Sequence, residues 1–423
     1  MKLSKYIIFH EEGKRKYIYH QISNALLDVD DELYTALLSG ETEMLPDNVV
    51  LSLKRNGFLV ENAIDETCSI RYANLVSRYN SGMLRVTILP TLNCNFKCWY
   101  CYEQHKPSYM TDADMKSVVK FIKSEVEDKH LNTVLLDWFG GEPLLRFSQV
   151  IYPLSKEVKS WCEEHNVNFR NIITTNGSLI NEEMACKMNE IKLWQAQITL
   201  DGDHEHHNLV KFSASMNDSY DIIVHNIHTL CKTADHPNIE LRINYTNKNI
   251  DSAFLIFDDF DESIRKYITV SPHIVWQEVS NMNILSEKAS RLCDEAVKKG
   301  YNVRGLLRRC ATCYTENMEQ FVINYDMNVY KCTARDFNKK YCIGRIDENG
   351  TFLANDLYYR YYTTPSPFFR KECMDCDLLP SCLYSISCIQ KKIEGRQPEC
   401  DKESLAKFVH NGIANKLKNI HNT

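Results

Sequence analysis

Residues 92–103 read Leu-Asn-Cys-Asn-Phe-Lys-Cys-Trp-Tyr-Cys-Tyr-Glu. They set Cys94, Cys98 and Cys101 in a C-x3-C-x2-C array. Three thiolates at that spacing can hold three corners of a four-iron, four-sulfur cluster and leave the fourth iron open to another ligand. Ordinary ferredoxin clusters are closed by four cysteines, so an array that stops at three points to chemistry at the open corner. Two other readings of the same residues stay open here. Nearby cysteines also build zinc sites, whose usual cue is C-x2-C or C-x2-4-C spacing. Free cysteine also packs as a small hydrophobe.

The chain has 423 residues, 44% of them hydrophobic, enough for several packed domains. Its net charge of −6 mixes acids and bases and leaves no nucleic-acid footprint. The apolar run near the N-terminus is too short for the core of a signal peptide, and no apolar stretch is long enough to span a bilayer. The expectation is a cytoplasmic protein with no membrane and no nucleic-acid partner. Seventeen cysteines in such a chain favour metal or redox chemistry over disulfides. Nine lie between Cys310 and Cys400 and three in the opening array. The other five, Cys68, Cys162, Cys186, Cys231 and Cys293, read as scattered thiols.

Outward from residue 92, strand and helix alternate, the sign of a parallel sheet clothed in helices. The expected strands are Met83–Pro90, Thr133–Phe139, Phe169–Thr174, Ala196–Leu200, Glu240–Tyr245 and His273–Val279. Helices are expected over Asp112–Lys129, Phe147–His165, Asn181–Glu190 and Ser219–Cys231, with another starting at Ile250. Upstream, Lys5–His10 and Lys16–Gln21 read as a hairpin. Helices capped at Asp30 or Asp31 and over Asn48–Lys54 follow, then a strand at Phe58–Val60.

Motifs fall at the ends of the expected strands. The second ends in Gly140-Gly141-Glu142-Pro143, where glycines allow close backbone approach. The third ends in Thr174-Thr175-Asn176-Gly177, and the fourth in Thr199-Leu200-Asp201-Gly202. After Gly202 comes Asp203-His204-Glu205-His206-His207-Asn208. Arg242, Asn244 and Asn247 are assigned to the fifth strand as inward polar residues that need partners. The three histidines are read as loop residues, not as a metal site.

With Tyr100 just before the last cysteine of the array, these residues resemble the radical S-adenosylmethionine (SAM) enzymes. The resemblance implies a partial (β/α)6 barrel with its site at the C-terminal strand ends. It implies a four-iron cluster on Cys94, Cys98 and Cys101, with SAM on the open iron. Tyr100 would lie against the adenine. Gly140, Gly141, Glu142 and Pro143 would meet the SAM amino group, and Thr175 and Asn176 its ribose and carboxylate. Thr199-Leu200-Asp201-Gly202 resembles the S-[IL]-D-G-P…H-D pattern, which would place Thr199 and Asp201 among the cofactor-binding residues. Thr199, Asp203 and Asn208 depart from its serine, proline and aspartate.

The last 120 or so residues resemble the SPASM extension, which carries two auxiliary four-iron clusters. The residues are Cys310, Cys313, Cys332, Cys373, Cys376, Cys382, Cys388 and Cys400. The resemblance implies Cys310, Cys313, Cys332 and Cys388 for one cluster and Cys373, Cys376, Cys382 and Cys400 for the other. Cys342 could replace Cys310 or Cys388, and a pair of zinc sites is the alternative. Met327 stands where the family has glycine, so the turn before Cys332 is expected to be built differently. Five residues separate Cys382 from Cys388 where three are usual.

The expected organisation is a small winged-helix-like α+β domain over residues 1–80, a barrel over 81–305 and a SPASM domain over 306–423. The first resembles peptide-recognition domains, which take a peptide as an added strand. Taken together, the resemblance implies an anaerobic oxidoreductase. A 5′-deoxyadenosyl radical would abstract hydrogen from a ribosomal precursor peptide and leave a cross-link or related product. The cofactors would be SAM and three four-iron clusters, with an electron donor such as flavodoxin or ferredoxin. An anaerobic sulfatase maturase is a second reading, although Thr333 stands where those enzymes carry an aspartate. A non-catalytic iron–sulfur scaffold is a third.

Overall fold

Residues 1–81 hold five strands and three helices. These are β1 (Lys2–Leu3), β2 (Ile7–Glu12), β3 (Arg15–His20), β4 (Ala25–Val29), α1 (Asp31–Ser39), α2 (Asp47–Arg55), β5 (Leu59–Val60) and α3 (Glu66–Tyr79). The hairpin β2–β3 is extended to a three-stranded antiparallel sheet by β4, and β1 pairs with β5. Sequence pattern misses β4, because Leu26-Leu27-Asp28-Val29 does not alternate. Asn24, in the left-handed region at φ 61°, makes the turn that brings β4 back. Asp30 caps α1 by accepting from the Leu33 amide at 2.8 Å.

The next elements are β6 (Met83–Leu89), α4 (Asp112–Lys129), β7 (Thr133–Trp138), α5 (Tyr152–Glu164), β8 (Asn168–Thr175), α6 (Glu182–Glu190) and β9 (Leu193–Leu200). Then come α7 (His204–Val210), α8 (Ser219–Thr233), β10 (Asn238–Tyr245), α9 (Glu262–Arg265), β11 (Ile268–Ile274), α10 (Met282–Lys298) and β12 (Asn302–Val303). Strands β6 to β11 lie side by side in chain order and parallel, with helices in the crossovers, which is the partial (β/α)6 barrel. β13 (Gln320–Asn324) joins β6 in parallel. β14 (Asn328–Tyr330), β15 (Gly344–Ile346) and β16 (Phe352–Ala354) then add antiparallel, giving eleven strands.

Local chemistry explains the helices. α4 starts with a capping box in which Thr111 and Asp114 satisfy each other's amides. Its inner face buries Val118, Phe121, Ile122 and Val126, each worth about 1.5–3 kcal/mol of apolar burial. Three expectations are corrected. The sixth strand is Ile268–Ile274 rather than His273–Val279, because β11 pairs in register from Ile239↔Ile268 onward and Trp276–Glu278 turns as a 3-10 helix. The segment after Ile250 forms only a 3-10 turn, Ala253–Asp258. Asn247 lies beyond the end of β10.

This computed structural model describes every residue except 214, 215, 217, 279–281, 305–312, 335, 364–369, 387, 388, 395–399, 422 and 423. The chain forms two units. One joins Met1–Ser81, Gly305–Met318 and Arg360–Thr423, and the other joins Gly82–Arg304 and Glu319–Tyr359. In the first, the C-terminal helix Lys402–His421 lays Val409, Ile413 and Leu417 on Ile8, Tyr17 and Tyr19 of the hairpin. In the second, the parallel strands carry the functional residues at their C-terminal ends.

Candidate active site

The cysteine loop leaves β6 and is fastened at its two ends by hydroxyl groups. The Thr91 hydroxyl donates to the Ser108 carbonyl at 2.6 Å, and the Ser108 hydroxyl accepts from the Leu92 amide at 2.8 Å. Phe96 is buried beneath the loop, and its amide donates to Cys94 Sγ at 3.4 Å. The turn after β7 lies directly on this loop. Gly141 and Glu142 donate their amides to the carbonyls of Thr91 and Asn93 at 3.3 and 2.8 Å. A Cβ on Gly141 would stand 2.3 Å from the Asn93 oxygen, and one on Gly140, at φ +118°, 2.4 Å from the Thr91 oxygen. Both positions therefore require glycine.

Glu142 is fully buried. One oxygen accepts from Thr175 Oγ1 at 2.7 Å and the Leu144 amide at 2.9 Å, the other from the Asn176 amide at 2.8 Å. Its carboxylate thus joins the end of β7 to the end of β8, with Pro143 opening the 3-10 turn it caps. Burial outweighs these donors and pushes its carboxyl up to about 6. Asn176 Nδ2 donates to Asn95 Oδ1 at 2.8 Å, which ties β8 back to the cysteine loop.

A second buried group occupies the far wall. Asp201, at the end of β9, accepts from the Tyr100 hydroxyl at 2.6 Å and from Lys211 Nζ at 2.5 Å. Asn244 Nδ2 on β10 donates to the same hydroxyl at 2.9 Å, and Arg242 Nε donates to Asn244 Oδ1 at 2.9 Å. Burial by itself would raise the Asp201 carboxyl. The Lys211 ammonium overrides it and holds the group below the ordinary carboxylate range.

These walls enclose one cavity. Cys94, Cys98, Cys101, Tyr100, Gly140, Gly141, Thr175, Asn176, Thr199, Lys211, Arg242 and Asn244 all line it. Tyr100 and Asn244 also line an adjoining cavity, with Asp201, Trp99, Thr246 and Val275. The three histidines do not converge. His207 is buried with Nδ1 accepting from the Asp201 amide at 3.2 Å, His204 pairs with Asp218 and His206 with Asp203. Asn208, where the family has aspartate, accepts at Oδ1 from the Ser219 amide and hydroxyl, each at 3.0 Å.

Sequence reading missed Lys211, Glu103 and Gln197 on this cavity wall. Lys211 carries a faint signal, a lone cation ten residues after Asp201 in the apolar run Leu209-Val210-Lys211-Phe212. Glu103 follows the array, and burial raises its carboxyl to about 7. Its Oε2 has no hydrogen-bond partner among the described residues.

Residues 88–236 match the Radical SAM superfamily. The match marks a radical SAM domain in that stretch of the chain. A serine-type anaerobic sulfatase-maturating enzyme of Bacteroides thetaiotaomicron is 26% identical over 197 residues, 45% of this chain and 46% of the relative. The chain thus spans less than half the length of this curated relative. The solved structure of anSMEcpe with bound AdoMet matches with a TM-score of 0.58 at 18% identity, covering 80% of this chain and 98% of that one. Streptococcus suis SuiB bound to precursor peptide SuiA matches with a TM-score of 0.50 at 15% identity, covering 96% and 99%. At those identities the likeness is one of fold.

The residues of this cavity fit a four-iron cluster. Cys94, Cys98 and Cys101 are free thiols on one cavity wall. Burial pushes Cys94 up to about 12 and Cys101 up to about 11, so three bare thiolates would not persist there. A metal cluster that displaces the protons makes three buried sulfurs compatible. Cys332 shows the same local support: the Ala334 amide donates to its Sγ at 3.3 Å, as the Phe96 amide does to Cys94. Met327 corrects an expectation, because it takes the left-handed conformation at φ 64° itself and the turn between β13 and β14 keeps the shape a glycine would give it. Cys342 donates its thiol to the Gly344 carbonyl at 3.0 Å.

In the unit holding the chain ends, Cys373 is close enough to Cys376 and Cys400 for each to raise its thiol, after burial as the leading cause. Cys373 and Cys382 share a small core with Tyr6, Ile70 and Leu379. Cys313 Sγ accepts from Thr315 Oγ1 at 3.2 Å. Cys310 and Cys388 lie outside the described residues.

Proposed function

We propose that this radical SAM enzyme modifies a ribosomally made precursor peptide by hydrogen abstraction, leaving an oxidative cross-link or a related change. The observation that carries the reading is the single cavity in which three cysteine thiols face the polar ends of four parallel strands. Cys94, Cys98 and Cys101 would hold a four-iron cluster whose open iron takes SAM. Bound there, the pair supplies one-electron cleavage of SAM to methionine and a 5′-deoxyadenosyl radical.

The chain's residues have the remaining tasks. Gly140 and Gly141 bring their backbone against the cysteine loop, at the place proposed for the SAM amino group. Glu142 positions Thr175 and Asn176 for the ribose and carboxylate. Asp201 and Lys211 fix the Tyr100 hydroxyl, and Tyr100 and Val275 wall the adjoining cavity, which suits an adenine ring. An oxidised product needs an acceptor for a second electron. Cys373, Cys376, Cys382 and Cys400, with Cys310, Cys313, Cys332 and Cys388, would hold two auxiliary clusters suited to that. Oxygen-sensitive clusters imply an anaerobic setting and an electron donor of the flavodoxin or ferredoxin type. The barrel over 81–305 would carry catalysis, flanked by recognition (1–80) and SPASM (306–423) regions. No helix among the described residues is long and apolar enough to cross a membrane, in keeping with a place in the cytoplasm.

Peptide binding by relatives supports the substrate class: SuiB was solved with SuiA, and anSMEcpe with the Cp18Cys peptide. The maturase likeness favours a second reading, oxidation of a protein side chain to formylglycine. Thr333 speaks against it, since it stands where those enzymes carry an aspartate, and its carbonyl is taken by the Tyr102 hydroxyl at 2.7 Å.

The test is anaerobic reconstitution followed by iron counting and product analysis. About 12 irons per chain are expected at four per cluster, together with 5′-deoxyadenosine from SAM and reductant. A mass change should appear in a peptide encoded beside this chain. Zinc in place of iron, or no 5′-deoxyadenosine, would sink the reading. A formylglycine product would select the maturase alternative.

A further inference from the structure

Each thiol of the array has its own acid. The carboxylate that acts on Cys94 is Glu142, on Cys98 Asp201 and on Cys101 Glu103. Two of these acids have their oxygens taken. Glu142 accepts from Thr175, Leu144 and Asn176, and Asp201 accepts from Tyr100 and Lys211.

Glu103 differs. It is half-buried, it lines the cavity of the three cysteines, and its Oε2 is sealed from water without a hydrogen-bond partner among the described residues. Burial is the one influence on its carboxyl; no cation of the described residues acts on it. Nor is the residue a loose one. Its amide hydrogen-bonds the Cys101 thiol, and the preceding Tyr102 donates its hydroxyl to the Thr333 carbonyl at 2.7 Å. The backbone is thus held on both sides of a carboxylate that has nothing to accept from.

An acid oxygen cut off from water and left without a donor is costly. Such a group in a folded protein calls for a partner from outside the chain. A cation completes it best, because a hydrogen bond between opposite charges is about twice as strong as a neutral one. The SAM assignments leave this acid over. The SAM amino group is placed at Gly140 and Gly141 and the adenine beside Tyr100 and Val275, and neither uses Glu103.

Resting on the peptide-modifying reading, we propose that Glu103 binds the cationic side chain of a lysine or arginine in the substrate peptide, at or beside the residue that loses hydrogen. The contact would select which peptide residue enters the cavity. It gives the substrate a chemical class, a basic residue at the reacting position, that the barrel chemistry leaves open.

The experiment uses the reconstituted full chain with SAM and no peptide. n-Butylammonium and n-butylguanidinium stand in for lysine and arginine, and n-butylurea is the neutral control. Each is titrated while the EPR spectrum of the reduced cluster is followed. Both cations should shift the spectrum saturably, at concentrations about tenfold or more below butylurea. Glu103→Gln, nearly the same in shape but uncharged, should lose that preference, and Glu103→Asp should keep most of it. Equal response to the three ligands, or a cation preference retained by Glu103→Gln, overturns the proposal. In equilibrium dialysis, a fall in SAM affinity for Glu103→Gln larger than its fall for butylammonium overturns it too, by assigning the carboxylate to the SAM amino group. Should Glu103→Gln hold no iron, the parent decides alone: a cation preference supports the proposal and an equal response overturns it. None of these results touches the peptide-modifying reading. That reading falls separately, if the enzyme forms 5′-deoxyadenosine yet changes the mass of no peptide encoded beside it.

Discussion

The two walls of the barrel mouth each bury a carboxylate, and they solve the problem differently. Glu142, at the end of β7, is met by two amides and a hydroxyl and feels Lys211 only weakly, without an ion pair, so burial wins and its carboxyl rises to about 6. Asp201, at the end of β9, is buried as deeply but faces Lys211, and its carboxyl is held down. The lesson is that depth alone does not set the charge of a buried acid. The nearest full charge does, because neutral donors do not offset the loss of water as a cation can. The Glu142 wall relies on backbone closeness, and the Asp201 wall on paired charge.

The largest effect should come from breaking the charged wall. Asp201→Ala leaves Lys211 buried without its counter-ion and should cost about 3–5 kcal/mol of stability. Adding Lys211→Met to Asp201→Ala should recover much of it in denaturant unfolding. If the double variant is no better than the single one, paired charge is not what holds this wall.

The backbone wall breaks by volume. Gly141→Ala places a Cβ 2.3 Å from the Asn93 oxygen and 2.6 Å from the Leu92 oxygen, so the cysteine loop must shift. A displacement near 1 Å at a reacting centre costs about 100-fold, and the variant should show that loss in 5′-deoxyadenosine formation. Parent-like rates would mean that the loop and the turn yield without cost.

The pH dependence sharpens the contrast. A carboxyl whose folded value is raised to about 6 contributes most to stability at acid pH, and that contribution is lost as the pH rises through about 6. The loss is on the order of 1–2 kcal/mol. Glu142→Gln should flatten this part of the unfolding profile of iron-free protein. Asp201 acts with the opposite sign: its stability is present above the ordinary carboxylate value and lost as the pH falls through its lower folded one. An unchanged profile for Glu142→Gln would place the titration elsewhere.

The smallest effect is expected from Tyr100→Phe. Removing a hydroxyl that donates to Asp201 and accepts from Asn244 should cost about 1 kcal/mol. Iron content after reconstitution should be unchanged, since no thiol is touched. Loss of iron would show that the hydroxyl shapes the cysteine loop itself.

Much of this protein was determined by sequence alone. Period-two and period-3.6 patterns place five of the six barrel strands and most of the helices between them, and turn glycines mark the strand ends that carry chemistry. The spacing of Cys94, Cys98 and Cys101 marks the short loop whose thiols line the cavity. What only the tertiary structure decided is long-range. Lys211 reads as an ordinary surface cation until folding sets it against Asp201 and the cavity. Glu142 has the look of a ligand-facing acid until Thr175 and Asn176, more than thirty residues on, take its oxygens. Met327 argues for a different turn until the strands it joins hold its backbone in the left-handed region. The strand β4 gains its identity from its partner β3, not from alternation of its own. In each case the deciding interaction joins residues far apart in the chain or imposes a conformation that local preference opposes, and local pattern carries no record of either.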